Sequence, residues 1–198
     1  PHTAMVGLGN RRNFLCSDCR DTPPDPIGRI YGTALYEGVI ADAVQALKFE
    51  DKHRLAGPLG ETMTQFAATW TDLAGYDLLV PVPLHRVRQR ERGYNQSTLL
   101  AEACEGAFPN AHVCEALKRI RPTRTQSTLA GVKRAENVRG AFAALGDGFE
   151  NQRILLIDDV VTSGGTVIEC ARALMRAKAQ SVDVLAVALV EHRAARNR

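Results

Sequence analysis

A chain of 198 residues with 45% apolar and 24% charged residues is long enough to bury a core and too apolar to stay disordered. A net charge of +3 is mild, and no stretch nears the roughly 20 apolar residues that cross a bilayer or forms a basic-then-apolar leader, which predicts a cytoplasmic protein. Five cysteines, an odd number, point to thiols rather than to a disulfide framework.

Pro1 to Met5 carries no readable pattern, and part of the natural N-terminus is expected to be missing or replaced. Residues 1–29 hold Cys16, Cys19 and Thr22-Pro23-Pro24-Asp25-Pro26, which reads as a small module followed by a stiff linker. The main domain is expected over 30–198. Val39, Ile40, Ala43, Val44 and Leu47 recur at helical spacing, as do Leu59, Met63, Phe66, Ala67 and Trp70, with Pro58 in the first turn of the second helix. Leu78-Leu79-Val80 reads as a short buried strand ended by Pro81-Val82-Pro83. A helix with Leu99, Leu100, Ala103 and Cys104 comes after Asn95, its predicted cap. The polar, aperiodic segment from Arg121 to Arg139 predicts a lid. Ile154-Leu155-Leu156-Ile157 is apolar on both faces, Val167, Ile168, Ala171, Leu174 and Met175 predict a helix, and Val182 to Val190 a second strand. This βαβ unit predicts an α/β fold, a parallel sheet flanked by helices.

The residues that carry chemistry stand at the end of the first of those two strands. Asp158 and Asp159 arrive at the strand end, and Thr162-Ser163-Gly164-Gly165-Thr166 leads into a helix. Ligands of open parallel sheets sit beyond the carboxyl ends of the strands. Glycines let backbone amides converge on an anion, hydroxyls add donors, and the helix dipole favours negative charge, so the turn is a phosphate cradle. Two carboxylates beside a phosphate site need ligand groups that carboxylates attract, and ribose hydroxyls are such groups. The same acids, expected at a solvent-facing strand end, would stabilise positive charge developing on the ribose. A nucleotide P-loop is excluded by Thr166 where a lysine is needed, and a Rossmann fingerprint by the presence of Gly164 and Gly165 alone. A response-regulator receiver is excluded because only one helix and one strand come after the acids.

Asp158-Asp159-Val160-Val161-Thr162-Ser163-Gly164-Gly165-Thr166 resembles the phosphoribosyl pyrophosphate signature of the type I phosphoribosyltransferases. Val80 to Arg86, Arg92-Gly93-Tyr94-Asn95-Gln96, Arg124-Thr125-Gln126-Ser127 and Asn137 to Phe142 narrow the resemblance to the ComF/GntX group of competence-associated proteins, similar to amidophosphoribosyltransferases, over residues 30–190. The resemblance implies a hood from flanking segments and a flexible lid loop. It implies 5-phosphoribosyl 1-pyrophosphate (PRPP) with Mg²⁺ as ligand, held by residues 158–166 and by a pyrophosphate loop at Pro83, Leu84, His85 and Arg86. Asp158, Asp159, Arg124 and Arg139 would be catalytic, with Arg124, Gln126 and Arg139 facing the ligand from a lid over 123–139. Cys16 and Cys19 look like the last knuckle of a zinc ribbon. They make half a tetrahedral site, expected to be empty here and to take Zn²⁺ only in an intact N-terminal module.

Two departures bear on activity. Purine phosphoribosyltransferases usually carry a general-base aspartate where this chain has Thr162, and a hydroxyl takes no proton near neutral pH, so purine salvage is disfavoured. The chain also lacks the glutaminase domain of amidophosphoribosyltransferases and begins with Pro1 where they expose a nucleophilic cysteine, so glutamine-dependent amidation is not expected. The expected function is phosphoribosyl transfer to an unnamed acceptor. The alternative is a non-catalytic PRPP sensor acting in DNA uptake through protein or single-stranded DNA partners, which two arginine-rich segments (86–92 and 119–139) permit. A homodimer is compatible with either, and Cys104 and Cys170 read as core residues.

Overall fold

The computed structural model describes residues 26–69, 75–121, 138–146 and 148–190, together with the backbone of 3–6 and 14–15. Cys16, Cys19, Trp70, Arg124, Gln126 and most of the expected lid lie outside the described residues.

Two long strands, β8 (Arg153–Val161) and β9 (Ser181–Leu189), form the middle of the sheet, joined by helix α5 (Gly165–Arg176). They pair in parallel along their whole length, Arg153 opposite Ser181 through Val161 opposite Leu189. On one side lie β3 (Ile30–Leu35) and then β1 (Thr3–Val6) and β2 (Phe14–Leu15); on the other lie β4 (Leu78–Pro81) and β5 (His112–Val113). Every pairing of this seven-stranded sheet is parallel except β1 with β2. The expectation of a parallel sheet flanked by helices is borne out.

The pleat of β8 divides the core. Ile154 and Leu156 face a layer with Val167, Cys170 and Leu174 of α5. Leu155 and Ile157 face the opposite layer, built from α1 (Gly38–Phe49), α2 (Ala56–Ala67) and α4 (Gln96–Cys104). A strand buried on both faces needs apolar side chains at successive positions, which is why 154–157 shows no alternation. Helices α2 and α4 approach so closely that a Cβ at Gly60 would stand 2.3 Å from the Cβ of Ala103. Cys104 and Cys170 are buried, and burial pushes both thiols up, as befits core residues.

The structure departs from the sequence reading in several places. Arg86–Arg92 forms α3, whose residues are exposed or half-buried and so show no apolar periodicity. Leu117–Arg119 (β6) and Phe142–Ala144 (β7) make a separate antiparallel pair. Val39, counted among the apolar positions of α1, is 82% exposed, and that helix buries Val44, Ala46 and Leu47 instead. Among the described residues, no helix is long and apolar enough to cross a membrane.

Candidate functional site

Asp158 and Asp159 lie inside β8 and are only 8% and 3% exposed, which corrects the expectation of a solvent-facing strand end. Successive strand residues point to opposite faces. Asp159 therefore meets the helices of the α1/α2/α4 layer. Its Oδ1 lies 2.7 Å from Lys48 Nζ at the end of α1, and its Oδ2 accepts a 2.7 Å hydrogen bond from Gln96 Nε2. Asp158 lies on the α5 side, where its charge is felt by Cys170 and Arg119. Its Oδ1 accepts from the backbone N–H of Asp159 at 2.9 Å and the Ser97 hydroxyl at 3.3 Å.

A corner built by Tyr94 and Asn95 delivers these partners. Asn95 Oδ1 caps α4 by accepting from Ser97 N–H at 3.2 Å, while its Nδ2 donates to the carbonyl of Val82 at 3.1 Å. The start of α4 is thus tied to the segment leaving β4, which places Gln96 and Ser97 beside the acids. The Tyr94 hydroxyl donates to the carbonyl of Leu47, tying the corner to the turn of α1 that presents Lys48. Arg92 extends the network by donating to Gln96 Oε1.

After the acids, Val161 ends the strand and Gly164 adopts φ +75°, a left-handed conformation that side chains with a Cβ rarely take, immediately before α5. Gly164 starts a 12-residue helix with no side-chain cap, and the first-turn amides of a helix have no intrahelical acceptor. Free amides of this kind at a helix start favour an anion. Across the sheet, the residues expected to form the pyrophosphate loop leave β4 next to β8: Pro83, Leu84 and His85 are half-buried and Arg86 is exposed. His85 caps α3, its Nδ1 accepting from the N–H of Val87 at 3.4 Å. Arg139 is exposed, and its carbonyl accepts from the Arg121 guanidinium. Neither Arg86 nor Arg139 makes an ion pair or hydrogen bond with the acids among the described residues. The buried Glu169 of α5 accepts the N–H of Gly140 at 2.6 Å, fixing the C-terminal root of the 121–139 segment to the helix that carries the cradle.

Lys48, Gln96 and Ser97 carry no role that the sequence alone reveals. Lys48 closes an amphipathic helix and looks like a solvated end residue, while Gln96 ends the Arg92-Gly93-Tyr94-Asn95-Gln96 motif without a visible partner. No local pattern links position 48 to position 159.

The buried pair has an electrostatic consequence. Burial, and then the neighbouring charge of Asp159, push the Asp158 carboxyl up to about 7, against the opposing pull of Lys48 and of two hydrogen bonds. An unfolded aspartate titrates near 3.9, so between about pH 4 and pH 7 the folded state holds a proton that the unfolded state has lost. The stabilisation from this proton is fully present below pH 4 and disappears as pH rises toward 7. Thermal melts should therefore show the wild type losing stability relative to Asp158→Asn as pH rises from 5 to 7.5. Parallel melting profiles for the two proteins would contradict this protonation state.

Known proteins share this arrangement of sequence. Residues 109–198 match the phosphoribosyl transferase domain. The DNA utilization protein YhgH of Escherichia coli (strain K12) is 33% identical over 184 residues, covering 91% of this chain and 80% of that protein. Competence protein F of Haemophilus influenzae is 32% identical over 114 residues, 57% of this chain and half of that one. A solved hypoxanthine phosphoribosyltransferase from Staphylococcus aureus aligns over 69% of this chain and 62% of its own, with 17% identity and a TM-score of 0.37. The extent of the match to YhgH, with the domain match and the competence-protein relatives, places the chain in a family: it belongs to the ComF-type proteins with a phosphoribosyltransferase-like domain.

Proposed function

We propose that the protein binds PRPP with Mg²⁺ and transfers its phosphoribosyl group to an acceptor. The observation that carries this reading is the passage from the Asp158-Asp159 pair through left-handed Gly164 into the N-terminus of α5. In this reading the 162–166 turn holds the 5-phosphate, the two acids hold the ribose hydroxyls, and Pro83 to Arg86 face the pyrophosphate. Pyrophosphate leaves C1 with the bonding electron pair, and an acceptor lone pair forms the new bond. The acids lower the barrier by opposing the positive charge that develops on the ribose between these events.

The donors suit a hard cation brought by the ligand. Two adjacent carboxylates offer oxygen, yet both oxygens of Asp159 already have partners, and the described residues contain no group of three or more potential metal-binding side chains. Magnesium bound with phosphates typically takes only one or two carboxylates and keeps water. When bound, it would neutralise pyrophosphate charge.

A second reading, a PRPP sensor in DNA uptake that performs no transfer, is favoured by Thr162 in place of a base and by the names of the relatives, DNA utilization and competence proteins. Turnover separates the two. Incubated with PRPP, Mg²⁺ and a panel of amines and ring-nitrogen acceptors, the protein should release pyrophosphate with at least one acceptor, and release should drop when Asp159 is replaced by Asn. Saturable PRPP binding without release across the panel would favour the sensor.

A further inference from the structure

An open cleft of about 660 Å³ lies between the end of α1 and helix α3, within the range of about 300–1,000 Å³ common for small-ligand sites. Lys48, Arg88, Arg90 and Arg92 face it, against the carboxylates of Asp51 and Glu91. The ring of Phe49 also lines it and is 68% exposed, with the Arg92 guanidinium 5.5 Å from its centroid. A cationic cleft containing a water-exposed aromatic ring suits a ligand with negative charge and a flat face. Pyrophosphate alone has no use for such a ring. A single-stranded nucleic acid is usually gripped by successive aromatics, and among the described residues Phe49 is the only one lining this cleft.

Two residues that line the cleft are also bonded toward Asp159. Lys48 lines it while pairing with Asp159, and Arg92 lines it while bonding Gln96, which donates to the other oxygen of Asp159. From these positions we infer that the cleft is the acceptor subsite and takes a planar heteroaromatic carboxylic acid. This rests on the PRPP reading for the word acceptor, though the binding chemistry does not depend on it. The ligand class fits Thr162. A pyridine-type ring nitrogen attacks C1 with a lone pair it already has: the N–C1 bond forms, the C1–O bond breaks, pyrophosphate carries away the electron pair, and no proton needs a base.

Calorimetric titration with nicotinate, cyclohexanecarboxylate and a short oligothymidylate tests the cleft. Nicotinate should bind about tenfold more tightly than the saturated acid, and Phe49→Ala should remove that preference. PRPP affinity, measured separately, should stay within about twofold in Phe49→Ala, because that ring lines a cleft that neither acid lines. Equal affinity for the two acids, or a preference that survives Phe49→Ala, overturns the assignment. So does oligothymidylate binding without nicotinate binding, or a loss of PRPP affinity in Phe49→Ala and Arg90→Gln that would give the cleft to pyrophosphate. If wild-type protein binds nicotinate with the expected preference yet never binds PRPP, the PRPP reading fails while the ligand class of the cleft stands.

Discussion

Above pH 7, where Asp158 as well as Asp159 carries charge, replacing both acids, Asp158→Asn with Asp159→Asn, should weaken PRPP binding on the order of 100-fold or more, since hydrogen bonds to charged groups contribute about 1.5–3 kcal/mol each. The surroundings of the two acids decide what happens to the fold. Asparagine at 158 resembles the protonated acid that burial already favours there, so that change alone should cost the fold little. Asparagine at 159 removes the carboxylate that Lys48 approaches at 2.7 Å, but the Lys48 side chain is 20% exposed and can turn to water. The double variant should therefore fold, with a penalty on the order of 1–3 kcal/mol and a melting temperature lower by on the order of 10 °C or less. Calorimetry with PRPP and Mg²⁺, alongside thermal melts, reads both quantities. Near-native affinity in the folded double variant would make the pair structural.

The largest loss of stability is expected from Ile157→Ala. Ile157 is fully buried in the central strand, packed in the layer of α1, α2 and α4, and paired with Pro81 on one side and Leu185 on the other. Emptying that position removes transfer energy and leaves a cavity, a combined cost of about 2–5 kcal/mol. For a chain of this size that lowers the melting temperature by roughly 4–20 °C. Val39→Ala, at a position 82% exposed, should leave it within about 2 °C. A small shift for Ile157→Ala, equal to that of Val39→Ala, would contradict the assignment of the core.

The contrast between Ile157 and Val39 shows what was legible in the sequence. An apolar run too short for a buried helix, ended by two acids and a glycine-containing turn, reads as a strand buried on both faces, so β8, the turn and α5 were readable from local pattern and turn chemistry. Val39 misleads because helical periodicity identifies a face without saying where packing stops. Helix α3 was invisible because Arg86, Arg88, Arg90 and Arg92 give it no apolar stripe, and its His85 cap is not among the commonest capping residues. The pair of acids was found, but their burial was not. It depends on Lys48 and Gln96, brought in by the bond from Tyr94 to Leu47 and the cap at Asn95, and such contacts between distant positions leave no periodic trace.

Titration of the unaltered protein with PRPP in the presence of Mg²⁺ is the most direct test of ligand binding at the acids and the turn. Saturable one-to-one binding is the predicted result, weakened when Mg²⁺ is chelated and displaced by ribose 5-phosphate, which shares the groups that the turn and the acids would hold. No saturable binding at millimolar PRPP, with the protein demonstrably folded, would contradict it.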